Sequence, residues 1–208
     1  MSLTVKCFAA GPLGENTYVI TDDATGFKAV VDPGYYGMDV RMEIQNNAYL
    51  KYILLTHGHY DHYAALREYL DEYISASFIA PAGEHYLLYE SREHLLMSDG
   101  RSRGGIPQAK RFVREGDTIE LGETTIKVIE TPGHTEGGVC FATENEVFSG
   151  DTLFRLSVGN TSFETGDWGT MVQSIQNKLY TLDDDTVVYP GHGPATTIGY
   201  EKRANPFV

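Results

Sequence analysis

The feature that most constrains this chain is the run Thr56-His57-Gly58-His59-Tyr60-Asp61-His62, which directly follows an apolar segment at positions 52–55. It places four side chains of the kinds that bind metal ions close together in sequence. On an extended backbone the side chains of His57 and His59 point the same way, so they can chelate one ion. Asp61 and His62 follow where a helix is expected to begin, and the new backbone direction carries them toward a second ion. The run therefore predicts a metal site.

Three further turns place a polar side chain after an apolar segment. His134 lies in a Thr-Pro-Gly-His-Thr turn, His192 in a Tyr-Pro-Gly-His-Gly turn, and Asp151 in a Phe-Ser-Gly-Asp-Thr turn. Glycine and proline favour sharp turns that leave the next side chain in a cleft, and functional side chains concentrate in such loops. Five of the seven histidines lie in these motifs or in the first run, so we interpret those five as ligands.

These motifs, in this order, resemble those of the metallo-β-lactamase-fold hydrolase superfamily, from about Val5 to the C-terminus. Within the superfamily they look most like the small glyoxalase II-like, or hydroxyacylglutathione hydrolase-like, proteins. The similar segments are Asp32-Pro33-Gly34, Gly150-Asp151-Thr152-Leu153-Phe154 and the C-terminal run from Gly191 to Phe207.

The resemblance implies a dinuclear metal centre. It assigns His57, His59 and His134 to one metal, Asp61, His62 and His192 to the other, and Asp151 to a bridging position. It also places Asp32 near the metals, where it could accept a hydrogen bond from a ligand histidine, with a purely turn-forming role as the equal alternative.

The order of apolar segments predicts an α/β (α+β) fold in a single domain spanning 1–208, because no linker interrupts the chain. The resemblance sharpens this expectation to an αβ/βα four-layer sandwich. Strands are predicted near 4–8, 17–21, 28–31, 118–121, 124–129, 139–142, 146–148 and 187–189, and helices near 38–47, 62–73, 81–89 and 170–182.

Composition limits the partners and the location. The formal net charge of −13 argues against a nucleic-acid partner, since binding a polyanion draws on clustered lysine and arginine. The sequence shows no apolar stretch near the roughly 18 residues of a membrane span and no signal peptide, so we expect no membrane partner and a cytoplasmic protein. Cys7 and Cys140 lie in apolar, strand-like segments and are expected to be buried free thiols. The sequence does not indicate an oligomeric state.

The ligand types indicate a hydrolytic reaction. Histidine and carboxylate ligands suit zinc, iron or manganese, with zinc as the first expectation for two divalent ions. Water shared by such a pair loses a proton near neutral pH, so the predicted nucleophile is a metal-bound hydroxide, with Asp61 and Asp151 as catalytic side chains. A thiolate leaves without a proton donor, whereas an amide nitrogen needs one. The expected substrate is therefore a small acyl thioester similar to S-lactoylglutathione.

Glutathione recognition is where the chain departs from its relatives. Enzymes that hold glutathione carry a basic residue and often a tyrosine in the loop after Gly-Asp-Thr-Leu-Phe, where this chain has Asn160 and Ser162. These two residues are the predicted substrate loop, and residues 91–108 are a predicted mobile cover over the cleft. Two alternatives stay open, a persulfide dioxygenase-type enzyme with one iron and a non-catalytic, metal-dependent binding module.

Overall fold

The computed structural model describes residues 2–10, 14–45, 49–91 and 106–208. The strands are β1 (Leu3–Ala10), β2 (Glu15–Asp22), β3 (Phe27–Val31), β4 (Tyr49–Leu54), β5 (Ser77–Pro81), β6 (Arg111–Val113), β7 (Thr118–Leu121), β8 (Thr124–Glu130), β9 (Val139–Ala142), β10 (Glu146–Gly150), β11 (Leu153–Phe154), β12 (Ser157–Val158), β13 (Val187–Pro190) and β14 (Thr196–Thr197). The helices are α1 (Met38–Gln45), α2 (Tyr60–Tyr63), α3 (Leu66–Glu72), α4 (His85–Tyr89), α5 (Trp168–Asn177) and α6 (Ile198–Ala204), with 3-10 turns at Ala82–Glu84 and Leu179–Thr181.

Two six-stranded sheets form the centre of the fold. The first has the order β1-β2-β3-β4-β5-β6, and the second has the order β14-β13-β10-β9-β8-β7. Strands β3 to β6 run parallel to one another, and β10 runs parallel to β13. Strand β9 is antiparallel to both β8 and β10, so β8 and β10 point the same way. The loops that follow these parallel-running strands therefore leave each sheet at one common edge.

Buried apolar side chains fill three layers between and outside the sheets. The clusters lie between the two sheets, between the first sheet and helices α1 to α4, and between the second sheet and helices α5 and α6. Both faces of a central strand are thus covered, which is why Ala29, Val30 and Val31 are all buried and show no alternation. This helix, sheet, sheet, helix order confirms the predicted αβ/βα four-layer sandwich.

Several predicted boundaries differ from the structure. The helix expected over 62–73 is two helices, because Ala65 adopts φ −107° and donates its N–H to the carbonyl of Pro33. The helix expected over 170–182 runs from Trp168 to Asn177 and gives way to a 3-10 turn. The helix expected over 38–47 extends to Gln45, and the rest of that prediction lies outside the described residues.

Some elements were not predicted at all. Strands β6, β11, β12 and β14 span two or three residues each, which is too short to produce a periodic apolar signal, and β5 is buried at four consecutive positions and shows no alternation. Cys140 is buried as expected, but the expectation for Cys7 is wrong, because β1 is the edge strand of its sheet and leaves that thiol exposed. Most of the predicted cover, residues 92–105, lies outside the described residues. Within the described ranges, no helix is long and apolar enough to cross a membrane.

Candidate metal centre

All seven predicted ligands lie at the shared edge of the two sheets. Asp61 and His62 belong to the segment after β4, which also supplies His57 and His59, while His134, Asp151 and His192 follow β8, β10 and β13. The sheets meet at this edge, because Glu15 forms an isolated β-bridge with His192 and the N–H of Asn16 donates to the carbonyl of Gly191 at 2.8 Å. Side chains from four loops can therefore converge, as ligand sites commonly do beyond the carboxyl ends of parallel strands.

His57, His59 and His134 form what we call the first group. Their ring nitrogens lie within 4.8 Å of one another, and Nδ1 of His59 is 2.8 Å from Nε2 of His134. Nε2 of His57 is buried and has no hydrogen-bond partner among the described residues. Buried polar atoms almost always have a partner, so an orphan nitrogen that faces two other imidazoles fits a metal ligand.

Asp61, His62 and His192 form the second group. Their ligand atoms also lie within 4.8 Å of one another. Nε2 of His192 is 3.3 Å from Oδ2 of Asp61, and Nε2 of His62 is 3.9 Å from the same oxygen. Donor atoms about 2.0–2.2 Å from a tetrahedral ion lie roughly 3.3–3.6 Å apart, so the separation of His192 and Asp61 suits two ligands of one cation, and that of His62 and Asp61 is longer than this range.

Asp151 lies between the two groups. Its Oδ1 is 3.3 Å from Nε2 of His62 in the second group, and its Oδ2 is 3.4 Å from Nε2 of His134 in the first. Oδ1 of Asp151 and Nε2 of His62 are both buried without a hydrogen-bond partner in the described parts of the chain. Oδ2 of Asp151 also lies 3.7 Å from Nε2 of His192, so the carboxylate is close to histidines of both groups, as a bridging ligand must be.

Asp32 orients two of the histidines, His62 directly and His57 through Thr56. Its Oδ2 is 2.8 Å from Nδ1 of His62 and accepts a 2.8 Å hydrogen bond from the hydroxyl of Thr56, whose oxygen lies 3.0 Å from Nδ1 of His57. The predicted hydrogen bond from a ligand histidine to Asp32 is therefore present. Asp32 also adopts φ +53°, so it forms the turn as well, and asparagine, aspartate and glycine tolerate that conformation best.

The two groups differ in their electrostatics. Burial, together with the four surrounding histidines, holds the pKa of His57 well below its usual value, so its imidazole is neutral and free to bind a metal. Burial alone would lower the pKa of His62, but Asp151 and Asp32 outweigh it and raise that pKa. Burial opposes the ionisation of Asp61, yet the hydrogen bond from His192 and the charge of His62 lower its pKa to about 2. Metal binding at the second group must therefore displace protons from histidine.

The backbone around the first motif is not the extended strand that the i, i+2 argument assumed. Strand β4 ends at Leu54, and the chain bends at Thr56 and His57. The two histidine rings still converge, with centroids 4.9 Å apart. The N–H of Thr56 donates to Oδ1 of Asp32 at 2.8 Å, so the loop is shaped by buried carboxylates from neighbouring strand ends and not by strand geometry.

The predicted substrate loop lies beside the first group. Oδ1 of Asn160 accepts hydrogen bonds from the N–H and the hydroxyl of Ser162, at 2.9 and 2.8 Å. The carbonyl of Asn160 is 2.6 Å from Nδ1 of His134, so this residue orients a ligand histidine through its backbone. The substrate contacts of both side chains stay a prediction.

Sequence reasoning missed three supporting residues, Asn16, Glu84 and Phe163. Asn16 and Glu84 bind backbone groups of the ligand loops, which leaves no pattern in the sequence. Phe163 is 54% exposed, and its ring centroid lies 5.4 Å from that of His59. Phe163 directly follows Ser162 of the predicted substrate loop, and that position was the one sequence signal that could have been used.

Comparison with known proteins places these features in a family context. Residues 10–192 match the Metallo-beta-lactamase superfamily. Hydroxyacylglutathione hydrolase GloC of Haemophilus influenzae is 34% identical over 203 residues, covering 93% of this chain and 92% of the relative. The crystal structure of BLEG-1 B3 metallo-beta-lactamase superposes with a TM-score of 0.86 at 32% identity, covering 98% and 99% of the two chains. The crystal structure of TTHA1623 in a di-iron-bound form superposes with a TM-score of 0.81 at 32% identity, covering 98% of this chain and 100% of the other.

Proposed function

The chain belongs to the metallo-beta-lactamase superfamily and is a metallo-hydrolase, and from that premise we propose that it hydrolyses acyl thioesters. The proposed centre holds two divalent cations. The observation that supports it most is the position of Asp151, whose carboxylate oxygens lie 3.3 Å from Nε2 of His62 in the second group and 3.4 Å from Nε2 of His134 in the first. The proposed ligands are His57, His59, Asp61, His62, His134, Asp151 and His192.

Cations in this centre supply Lewis-acid activation of water and of an acyl carbonyl. The chain's own residues hold and orient them. Asp61 and Asp151 are ionised, because neighbouring histidines lower both carboxyl pKa values despite burial. Carboxylates in that state neutralise cationic charge but cannot donate a proton to a leaving group. A reaction in which the leaving group departs unprotonated is therefore favoured, and a thiolate, with a conjugate pKa of about 8.5, satisfies this condition.

The donor set is compatible with more than one metal. Imidazole and carboxylate ligands without thiolate suit zinc, iron or manganese. We propose zinc as the first candidate. The di-iron form of a relative at 32% identity supports iron as the next one to test.

The substrate is proposed to be a small thioester with an apolar portion. The rings of Phe163 and Phe154 flank the centre, with centroids 5.4 Å from the ring of His59 and 6.1 Å from that of His192. Apolar surface beside the reacting position favours an acyl or thiol group that can pack against these rings. The side chains of Asn160 and Ser162 are uncharged, so neither supplies the positive charge that a glutathione carboxylate would need.

A substrate panel tests this proposal. Initial rates are measured with S-lactoylglutathione, acyl thioesters of smaller thiols, their oxygen-ester analogues and a chromogenic β-lactam. We expect turnover of the thioesters, loss of that turnover on chelation and recovery on adding zinc or iron. Faster hydrolysis of the β-lactam than of every thioester would replace the proposal with β-lactam hydrolysis, as the name of one structural relative suggests. No turnover with full metal content would favour a binding module.

A further inference from the structure

Glu84 is a fully buried carboxylate that joins the loop after β4 to the loop after β8. Its Oε2 accepts a 2.7 Å hydrogen bond from the N–H of Gly58, which lies between two histidines of the first group. Its Oε1 accepts hydrogen bonds from the hydroxyl of Thr135 at 2.6 Å and from the N–H of Gly137 at 2.9 Å. Thr135 directly follows the third histidine of that group. One side chain thus sets the separation of the two loops that supply the first group.

Glycines allow this junction to be as close as it is. A Cβ atom on Gly58 would lie 2.7 Å from Oε2 of Glu84. A Cβ atom on Gly83 would lie 2.6 Å from Cα of Gly137, so the turn that carries Glu84 packs directly against the loop after β8. Contacts below 3.0 Å are not tolerated, and the close approach therefore depends on the absence of side chains at these positions.

The hydrogen bonds of Glu84 explain why a carboxylate is present at this position. Its three neighbours are hydrogen-bond donors, so Glu84 acts only as an acceptor, as an ionised carboxylate does. In the described part of the chain Glu84 has no ion pair with lysine or arginine to offset its burial. Removing an unpaired charge from water is costly, but an apolar side chain here would leave the N–H groups of Gly58 and Gly137 and the hydroxyl of Thr135 without this acceptor. The three directed bonds are what an apolar residue could not supply.

The second group has different supports. Nδ1 of His62 is held by Asp32 at 2.8 Å. The loop that carries His192 is held by Asn16, whose side-chain amide donates to the carbonyls of Pro190 at 2.9 Å and Gly193 at 2.8 Å. Glu84 accepts from Gly58 in the segment that continues to Asp61 and His62, but all three of its hydrogen bonds go to residues that lie between or after histidines of the first group, so they act most directly on that group.

We propose that Glu84 is a positioning residue for the first group, and that its loss weakens the binding of one cation while the other stays in place. The inference rests on the proposed dinuclear centre. In Glu84→Gln the side chain keeps its size, but one acceptor becomes an amide donor that faces either Gly58 N–H or the donors in the loop after β8. Partners that orient metal ligands are typically worth 10- to 100-fold in metal affinity.

The test is a zinc titration of the metal-free protein against a chromophoric chelator, which reports the affinity of each ion. His192→Ala isolates the first group and His59→Ala isolates the second. We expect Glu84→Gln to weaken zinc binding at least about tenfold in the His192→Ala background. In the His59→Ala background we expect a change of less than about twofold, because the second group keeps its own supports.

Glu201 provides a matched control. It is also a fully buried carboxylate with three donors, the N–H of Leu156, the hydroxyl of Thr196 and the amide of Asn205, and none of these belongs to a ligand loop. Glu201→Gln should leave both zinc affinities unchanged. Thr135→Val removes one of the donors to Glu84 and should give a smaller loss in the same direction, and it replaces Glu84→Gln if that variant does not fold.

Four results separate the inference from the proposed function. An unchanged affinity of the first group in folded Glu84→Gln overturns the inference, and so does an equal weakening of both groups, which a general structural role would give. Excess zinc should restore turnover in Glu84→Gln, whereas a packing defect would not respond to zinc. Wild-type protein that binds fewer than two zinc ions overturns the dinuclear centre, and with it the inference.

Discussion

Replacing Asp32 by asparagine should disturb both metal groups, because Asp32 sets the protonation of a histidine in each. Its Oδ2 lies 2.8 Å from Nδ1 of His62, so that nitrogen carries the proton and Nε2 is left for a metal. Thr56 has one hydroxyl hydrogen, which it donates to Asp32, and its oxygen therefore accepts from Nδ1 of His57 at 3.0 Å. The same tautomer follows for His57, with Nε2 free.

In Asp32→Asn the oxygen that faces these two donors becomes an amide donor. The amide then donates to the oxygen of Thr56, the hydroxyl of Thr56 turns toward His57, and the proton of that histidine moves to its metal-facing nitrogen. His62 loses a bond to a charged acceptor, worth about 1.5–3 kcal/mol, or roughly 10- to 100-fold in affinity. Asparagine is chosen over alanine because φ is +53° at this position, and asparagine tolerates it without added strain.

The assay is the same zinc competition titration, with circular dichroism as a test of folding. Asp22→Asn is the matched control, because Asp22 is equally buried and accepts hydrogen bonds from Thr25 and Thr124 away from the centre. We expect Asp32→Asn to weaken both ions at least about tenfold and Asp22→Asn to weaken neither. Zinc affinities within about threefold of wild type in folded Asp32→Asn would refute the tautomer argument.

Three further predictions follow from particular contacts. Asp151→Ala should lower thioesterase turnover by two or more orders of magnitude and lower bound metal measured by elemental analysis, and full activity with full metal would contradict its bridging role. Gly58→Ala should lower the melting temperature and the zinc affinity of the first group, because its Cβ would lie 2.7 Å from Oε2 of Glu84, and calorimetry with and without zinc measures both effects. Burial raises the pKa of Glu84 from 4.5 to about 7, so between those values the folded chain binds a proton that the unfolded chain has released. The free energy of unfolding of the metal-free protein should therefore fall by up to about 3 kcal/mol as the pH rises through that range. Urea unfolding of wild type and Glu84→Gln at pH 5.5 and 8 checks the sign. The prediction is wrong if the wild type is more stable relative to the variant at pH 8 than at pH 5.5.

The clustering of the candidate ligands could be predicted from the sequence because their signals are local. His57, His59, Asp61 and His62 lie within one run, and His134, Asp151 and His192 each follow a glycine at a strand end. Turn residues and ligand types both occur within five positions of one another, so the pattern can be recognised without knowledge of the fold. The four-layer order also followed from the sequence, through the resemblance that these motifs support.

The supporting residues could not be predicted, because they act through backbone groups that are distant in sequence. Glu84 bonds to N–H groups that lie 26 and 53 positions away, and Asn16 bonds to carbonyls that lie 174 and 177 positions away. Every residue except proline has a backbone N–H, so the residue type of the donor does not reveal in the sequence that the contact exists. The bend at Thr56 was missed for the same reason, since it depends on Asp32 and Glu84 reaching it from neighbouring strand ends.

The central claim is that seven side chains hold a pair of neighbouring cations with Asp151 between them. The most direct measurement is anomalous X-ray diffraction at a metal absorption edge from crystals grown with zinc or iron. The account predicts two anomalous peaks about 3.5–4 Å apart, one next to His57, His59 and His134 and one next to Asp61, His62 and His192, with an oxygen of Asp151 at each. A single peak at saturating metal, or two peaks that Asp151 does not contact, would contradict it.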